Sequence, residues 1–414
     1  MEYLDLDINL SNEDKMLKKN ANEFAKKVMR PIAKELDEMT PEQVIARDSP
    51  FWDFMKKAYS LGYHSILIPE TYGGMGLTSL QQTIVYEELA WGSVGLTIAL
   101  GVASFPAFGA SLVPEENMIE EVLEPFCDCQ DAGIIGCWGI TEPDHGSDTL
   151  LPYYPSFSDA SIPAQCVAKP DGDDYIINGQ KSAWVSCGTI ATHCALFCQI
   201  EPSMGHAGGG IFAMPLDLPG VKKGAPLNKL GQRDLNQGEI FFDNVRVPGK
   251  YLIVGPEAYE ALLDIVLSTT TAMMGVFGTG VARAAFEEAL AYAKTRVQGG
   301  KKLIEYPNIQ AKLFEMLRQV ETSRAVTRAA FAYNQNTTTP AEEYSNIAKV
   351  HGTEAALNVA HEAIQIFGGN GLTKEYLVEK LYRDARAMLI EDGSNDTLAI
   401  GAGHKIIDTY PRKD

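Results

Sequence analysis

The chain has 414 residues, 45% of them hydrophobic and 21% charged, with a formal net charge of −19. That composition excludes a disordered or low-complexity polypeptide, and an acidic chain with no basic tract repels phosphate backbones, which argues against a nucleic-acid binder. The length suits two or three domains, or one multi-lobed unit with room for a cofactor. No apolar run approaches the roughly 18 residues that span a bilayer, and the polar start MEYLDLDINLSNEDKMLKK does not read as a signal peptide, so no membrane association is expected. Seven cysteines (Cys127, Cys129, Cys137, Cys166, Cys187, Cys194 and Cys198) form no C-x-x-C pair, which predicts reduced thiols in a cytoplasmic protein. C-D-C at 127–129 is too tight for the usual zinc spacing and no H-E-x-x-H occurs, so no metal site is expected.

In chain order, three regions differ in periodicity. Residues from about 11 to 130 read as helix, opening on a capping Ser11 with early acids and continuing through patterns at 50–61, 78–92 and 114–126. From about 133 to 248 short alternating or wholly apolar runs such as IIGCWGIT, HCALFCQI and EIFFDNVRVP predict strands, enough for a small barrel or sandwich. After Pro248 three long helical patterns and a last one near 393–405 predict a bundle. The expected fold is therefore α+β: an N-terminal α-helical domain (1–132), a central β-domain (133–248) and a C-terminal four-helix bundle (249–414). Segregated elements do not suit a dinucleotide-binding βαβ fold.

Three glycine clusters invite a phosphate-binding reading. GVFGTGVARA (275–284) carries Arg283 where a third glycine belongs, and close helix packing is the better account. GGG at 208–210 reads as a mobile hairpin tip. GGNG at 368–371 ends a long helix; one glycine serves as the stop, and the others imply close approach of a chain segment or a ligand.

WGITEPDHGSDT (138–149), NGQKSAWVS (178–186), FDNVRVP (242–248), YAKTRVQGGKKL (292–303) and QIFGGNGLTKEYLVEKLYRDAR (365–386) together resemble the acyl-CoA dehydrogenase family, in its motif order, over about residues 12–406. The resemblance implies bound FAD, a homotetramer or at least a dimer, and electron transfer to an electron-transferring flavoprotein. It also implies that Trp138, Ile140, Thr141, Gly146 and Ser147 meet flavin or substrate from one strand and its turn, with Trp184 and Ser186 covering the ring. Barrel core is the bland alternative for Trp184. Arg296 and Gln298 resemble the pair that reaches the FAD pyrophosphate of a neighbouring subunit, where an always-charged, forked guanidinium suits a diphosphate. An exposed helix-end arginine is the alternative. Gln365, Gly368 and Gly369 resemble the segment receiving the other end of that shared cofactor, and Ser394 and Asp396 fall on its flavin side.

The family's chemistry removes a proton from the thioester α-carbon and hydride from the β-carbon. The first step needs a desolvated carboxylate of raised pKa and donors at the thioester oxygen. The residues after Arg383-Asp384-Ala385 place Asp392 where many relatives have glutamate, with Glu391 beside it and Gly393 and Ser394 following. Merely capping the next helix is the alternative role for Asp392. Thr271 stands where many relatives have arginine, and His404 where some have a CoA-side arginine. Ser147, Thr271, Glu391, Gly393 and His404 are the expected substrate contacts. Aspartate is one methylene shorter than glutamate, about 1.5 Å of reach, which points to a broader, alicyclic or α-branched acyl group such as cyclohexanecarboxyl-CoA. A nitroalkane oxidase, which also uses aspartate, is the second enzymatic expectation. A DNA-binding relative is disfavoured by the charge.

Overall fold

The computed structural model describes residues 9–337 and 339–410. Its first region is helical: α1 (Asn12–Phe24), α2 (Arg30–Asp37), α3 (Pro50–Ser60), α4 (Ser79–Gly92), α5 (Val94–Ala103) and α6 (Phe105–Leu112). Ser11 opens α1 through a capping box with Asp14, as its sequence predicts. The α5 and α6 segments lack a legible helical period because every residue of α5 is buried, so no polar face marks the turns.

The middle region is one mixed sheet: β1 (Trp138–Gly139), β2 (Val167–Asp171), β3 (Asp174–Ser186), β4 (His193–Gln199), β5 (Gly209–Pro215), β6 (Val221–Lys223), β7 (Gln237–Pro248) and β8 (Leu252–Val254). The order is β6-β7-β3-β2-β4-β5-β8, with β1 added parallel to β4. Strand β8 carries the sheet past Pro248 by pairing with β5. The GGG run is not a mobile tip: Gly208, Gly209 and Gly210 are buried, and a Cβ on Gly208 would come within 1.9 Å of the Glu201 carbonyl oxygen. Tight packing, rather than freedom, requires glycine there.

The last region holds α7 (Tyr259–Thr295), α8 (Pro307–Gln335), α9 (Glu342–Phe367), α10 (Val378–Met388) and α11 (Asn395–Thr409). Close helix packing accounts for the 275–280 glycines: a Cβ on Gly275 would lie 2.4 Å from the Ala348 carbonyl oxygen, and on Gly278 2.5 Å from that of Gly352. Helix α7 is longer and more apolar than the sequence reading allowed, with an 18-residue window of mean hydropathy 1.5. That window is 89% buried in the bundle, where a core helix needs such a surface.

Arg283 has no part in phosphate binding. It lies buried between α4 and α7, where its guanidinium donates to Glu87 at 2.8 Å and to Glu88 at 2.7 Å. Burial opposes ionisation of Glu87, but Arg324 and Arg283 together hold its carboxyl well below the usual range. All seven cysteines are free thiols, six of them buried.

Candidate active site

The loop 389–394 between α10 and α11 carries the expected base. Asp392 (φ +50°) and Gly393 (φ +92°) are consecutive left-handed residues, a conformation that costs a non-glycine residue about 1–2 kcal/mol. Surrounding bonds hold it. Lys349 of α9 donates to the Gly393 carbonyl oxygen at 2.6 Å and to Asn395 Oδ1 at 2.7 Å, and Asn395 Nδ2 donates to Thr353 at 3.1 Å. From the sheet side, Ser147 Oγ accepts the Ser394 N–H at 2.9 Å. Two motifs almost 250 residues apart in the chain thus meet.

The adjacent acids have different surroundings. Glu391 accepts from Gln232 Nε2 at 2.8 Å, and burial pushes its carboxyl up to about 7 against the pull of that bond and of Lys229. The Asp392 side chain accepts no hydrogen bond among the described residues and is reachable by solvent. Protein nevertheless crowds it, and desolvation pushes its carboxyl up to about 6 despite the nearby Lys349 ammonium. Both properties fit a carboxylate on the wall of a cleft that substrate would fill. Asp392 does not cap α11; Ser394 holds the N-cap position.

The strand motifs converge on the same loop. Ser186 Oγ accepts from Gln237 Nε2 at 3.0 Å, and Gln237 Oε1 accepts from Lys229 at 2.8 Å; Lys229 in turn faces Glu391 electrostatically. Trp184 is 58% exposed rather than core. Ile177, Lys181 and Val185 of β3 are buried, so the two-residue alternation of the strand places Trp184 on the outer face. The indole of Trp138 instead packs among Phe105 and Phe197, at ring distances of 4.8 and 4.6 Å, so its strand backbone is what remains for a ligand. Ile140 and Thr141 are tied into the sheet by their carbonyl oxygens, which accept from Lys181 at 3.1 Å and from the Ser182 N–H at 2.8 Å. Thr271 is buried on α7, and Asp396 is exposed in the first turn of α11.

The second set of expected cofactor residues lies elsewhere in the chain. Arg296 and Gln298 are exposed, as are Gln365, Gly368 and Gly369. The Tyr292–Phe367 ring stack, 3.9 Å between centroids, and an Asn370–Tyr292 hydrogen bond at 2.9 Å join the two segments. Phe367 is 18 residues beyond Lys349 on α9, about 27 Å along the helix. A Cβ added at Gly146, Gly368 or Gly369 meets nothing within 4 Å, so these backbones face open space. Bare glycine backbone, an uncovered indole and an exposed guanidinium suit a large planar group with a diphosphate, and the residues present fit FAD.

Sequence reasoning missed Lys349 on α9 and Lys229, Gln232 and Gln237 in the stretch running into β7, which carry no local motif. It also missed the segment after Ser147. Tyr153 donates to Asp264 at 2.6 Å, Tyr154 packs its ring on His404 at 5.4 Å, and Leu151 approaches Gly401 closely. His404 therefore faces a tyrosine and Asp408 within this chain. The paired tyrosines in LPYYPSF were the available signal. An open groove of about 530 Å³ beside Pro143, Gln165, Gly179 and Phe241 lies on the sheet, away from the Asp392 loop.

The three-part fold, the pinned Asp392 loop and the residues that fit FAD point to a flavoprotein dehydrogenase. Family models for the N-terminal, middle and C-terminal domains of acyl-CoA dehydrogenases match residues 11–127, 137–245 and 266–403. YngJ of Bacillus subtilis, described as a probable acyl-CoA dehydrogenase, is 30% identical over 94% of this chain and 97% of its own. The short-chain specific mitochondrial enzyme of Rattus norvegicus is 29% identical over 96% and 91%. Butyryl-CoA dehydrogenase from Megasphaera elsdenii superposes with a TM-score of 0.86 at 27% identity, covering 97% of this chain and 100% of that one. The chain belongs to the acyl-CoA dehydrogenase family, and is an FAD-dependent oxidoreductase acting on CH–CH bonds.

Proposed function

We propose that the enzyme dehydrogenates an alicyclic or α-branched acyl-CoA, such as cyclohexanecarboxyl-CoA, with Asp392 as the base. The carrying observation is an exposed Asp392 carboxylate that accepts no hydrogen bond among the described residues, on a pinned loop. The Asp392 carboxylate takes the α-proton, and its raised pKa suits it to a weak carbon acid. The N–H groups of Asp392 and Gly393 donate no hydrogen bond among the described residues, which leaves them for the thioester oxygen as enolate charge develops. Bound FAD supplies the hydride acceptor.

The substrate class follows from reach. Lys349 and Thr353 (through Asn395) of α9 tether the Asp392 loop on one side and Ser147 on the other, so the backbone does not move in to offset the shorter side chain. A thicker acyl group brings its α-carbon to the base instead. At equal enzyme, kcat/KM for cyclohexanecarboxyl-CoA should exceed that for butyryl-CoA by at least about tenfold, a discrimination within the range of shape selection in a pocket. A preference for the straight chain overturns this reading.

The same proposal includes at least a dimer, a tetramer by family resemblance, with FAD held between copies. Its support is the separation along α9 between the Asp392 loop and the Arg296/Gly368 region. Sedimentation equilibrium of the flavin-loaded protein should give a multiple of the 45.2 kDa chain; a monomer with full flavin content refutes sharing. Electron-transferring flavoprotein is the proposed acceptor, checked by turnover that depends on adding it.

A further inference from the structure

Asp148 and His145 sit on the loop that also carries Gly146 and Ser147. His206 comes from the short helical segment Pro202–Gly208, far along the chain. One ligand atom from each lies within 4.8 Å of the others. His145 Nδ1 is 2.8 Å from Asp148 Oδ2, and His206 Nε2 is 3.4 Å from the same oxygen. The two imidazoles are nearly perpendicular, at 88°, with centroids 4.7 Å apart.

A second observation points to a ligand. His206 is 4% exposed, and its Nε2, aimed at Asp148, has no hydrogen-bond partner. A buried ring nitrogen without a partner is costly, and an occupant at this position would satisfy it. Asp148 Oδ1 is already used by the Gly146 N–H at 2.7 Å, which leaves Oδ2 to face both rings. An anionic oxygen and two imidazole nitrogens form the ligand set.

We propose that His145, Asp148 and His206 bind one divalent transition-metal ion, with zinc the best match to two nitrogens and one carboxylate oxygen. Ligand atoms about 2.0–2.1 Å from a tetrahedral centre lie about 3.3 Å from one another, and the two separations above straddle that value. The Asp148 side chain is 44% exposed, which provides an entry path and a fourth position for water. The ion would act as a clip. It ties the site loop to Pro202–Gly208 and so holds Ser147 where its Oγ accepts the Ser394 N–H beside the base. No chain spacing announces this site, because H-x-x-D is completed by a histidine from a separate segment.

The test uses flavin-loaded, tag-free enzyme stripped with a chelator and titrated with Zn²⁺ by calorimetry, with Co²⁺ as a spectroscopic probe. The expected result is one ion per chain, and binding weakened more than about 100-fold in both His206→Ala and His145→Ala. His145 lies on the more exposed loop, so its variant remains informative if His206→Ala folds poorly. The Co²⁺ form should show weak visible bands without a thiolate charge-transfer band. Three results overturn the proposal: substoichiometric Zn²⁺ uptake by the wild-type enzyme, undiminished uptake by His145→Ala, or a thiolate band that assigns the ion to the cysteines.

Discussion

Asp392→Asn is expected to keep its flavin and lose at least about two orders of magnitude in turnover, because the amide has no basic form to accept the α-proton. The wild-type kcat/KM should rise with pH through a limb near 6, where the Asp392 carboxyl releases its proton and becomes competent as a base. Below that limb the carboxylic acid predominates and activity falls; in the variant the limb disappears. Glu391 is the control. Its carboxyl is pushed up to about 7 and is engaged by Gln232, so it is mostly uncharged at the pH of the limb, and Glu391→Gln should leave the limb in place. If Glu391→Gln abolishes the limb and Asp392→Asn turns over at wild-type rate, the base is Glu391. Stability gives a separate readout. A carboxyl whose folded pKa is raised contributes stability that is present at low pH and lost as pH rises through the folded value. Neutralising Asp392 should therefore not destabilise the protein at pH 7.

Lys181→Met should cost about 3–5 kcal/mol of stability, the usual result of leaving one member of a buried ion pair without its partner. The Lys181 ammonium is 2.6 Å from Glu142 Oε1, and both side chains are almost wholly inaccessible. Lys181 also donates to the Ile140 carbonyl oxygen at 3.1 Å, and Glu142 accepts the Cys166 N–H at 3.0 Å. Burial alone would raise the Glu142 carboxyl, but Lys181 and the Gln165 and Cys166 N–H groups bring it below its ordinary value. The charge stranded by the substitution lies at the root of the loop bearing Gly146 and Ser147. Substrate KM should accordingly rise along with the fall in unfolding midpoint. Adding Glu142→Gln to Lys181→Met should recover much of the loss, since an amide is cheaper to bury than an unpaired carboxylate. A single variant as stable as wild type would show that water reaches the pair.

The order of helices, strands and helices was legible because burial patterns follow chemical periodicity. The 13-residue β3 and the C-terminal part of α7 carry enough repeats to declare themselves. Helices α5 and α6 did not, since uniform burial erases the period. The 208–210 glycines were misread for a related reason: glycine serves both loose turns and crowded contacts, and only the neighbouring Glu201 carbonyl and Tyr259 ring distinguish the two.

Sequence by itself determined the family, the acid pair at 391–392 and the motif order, because these are properties of residue type and spacing along one chain. Tertiary structure alone decided that Gln232 engages Glu391 while the Asp392 carboxylate is left without a hydrogen bond among the described residues, and that Lys349 and Ser147 fix the loop from opposite sides. Desolvation and Coulomb energy depend on distances through space, and groups nearly 250 residues apart in the chain set them here.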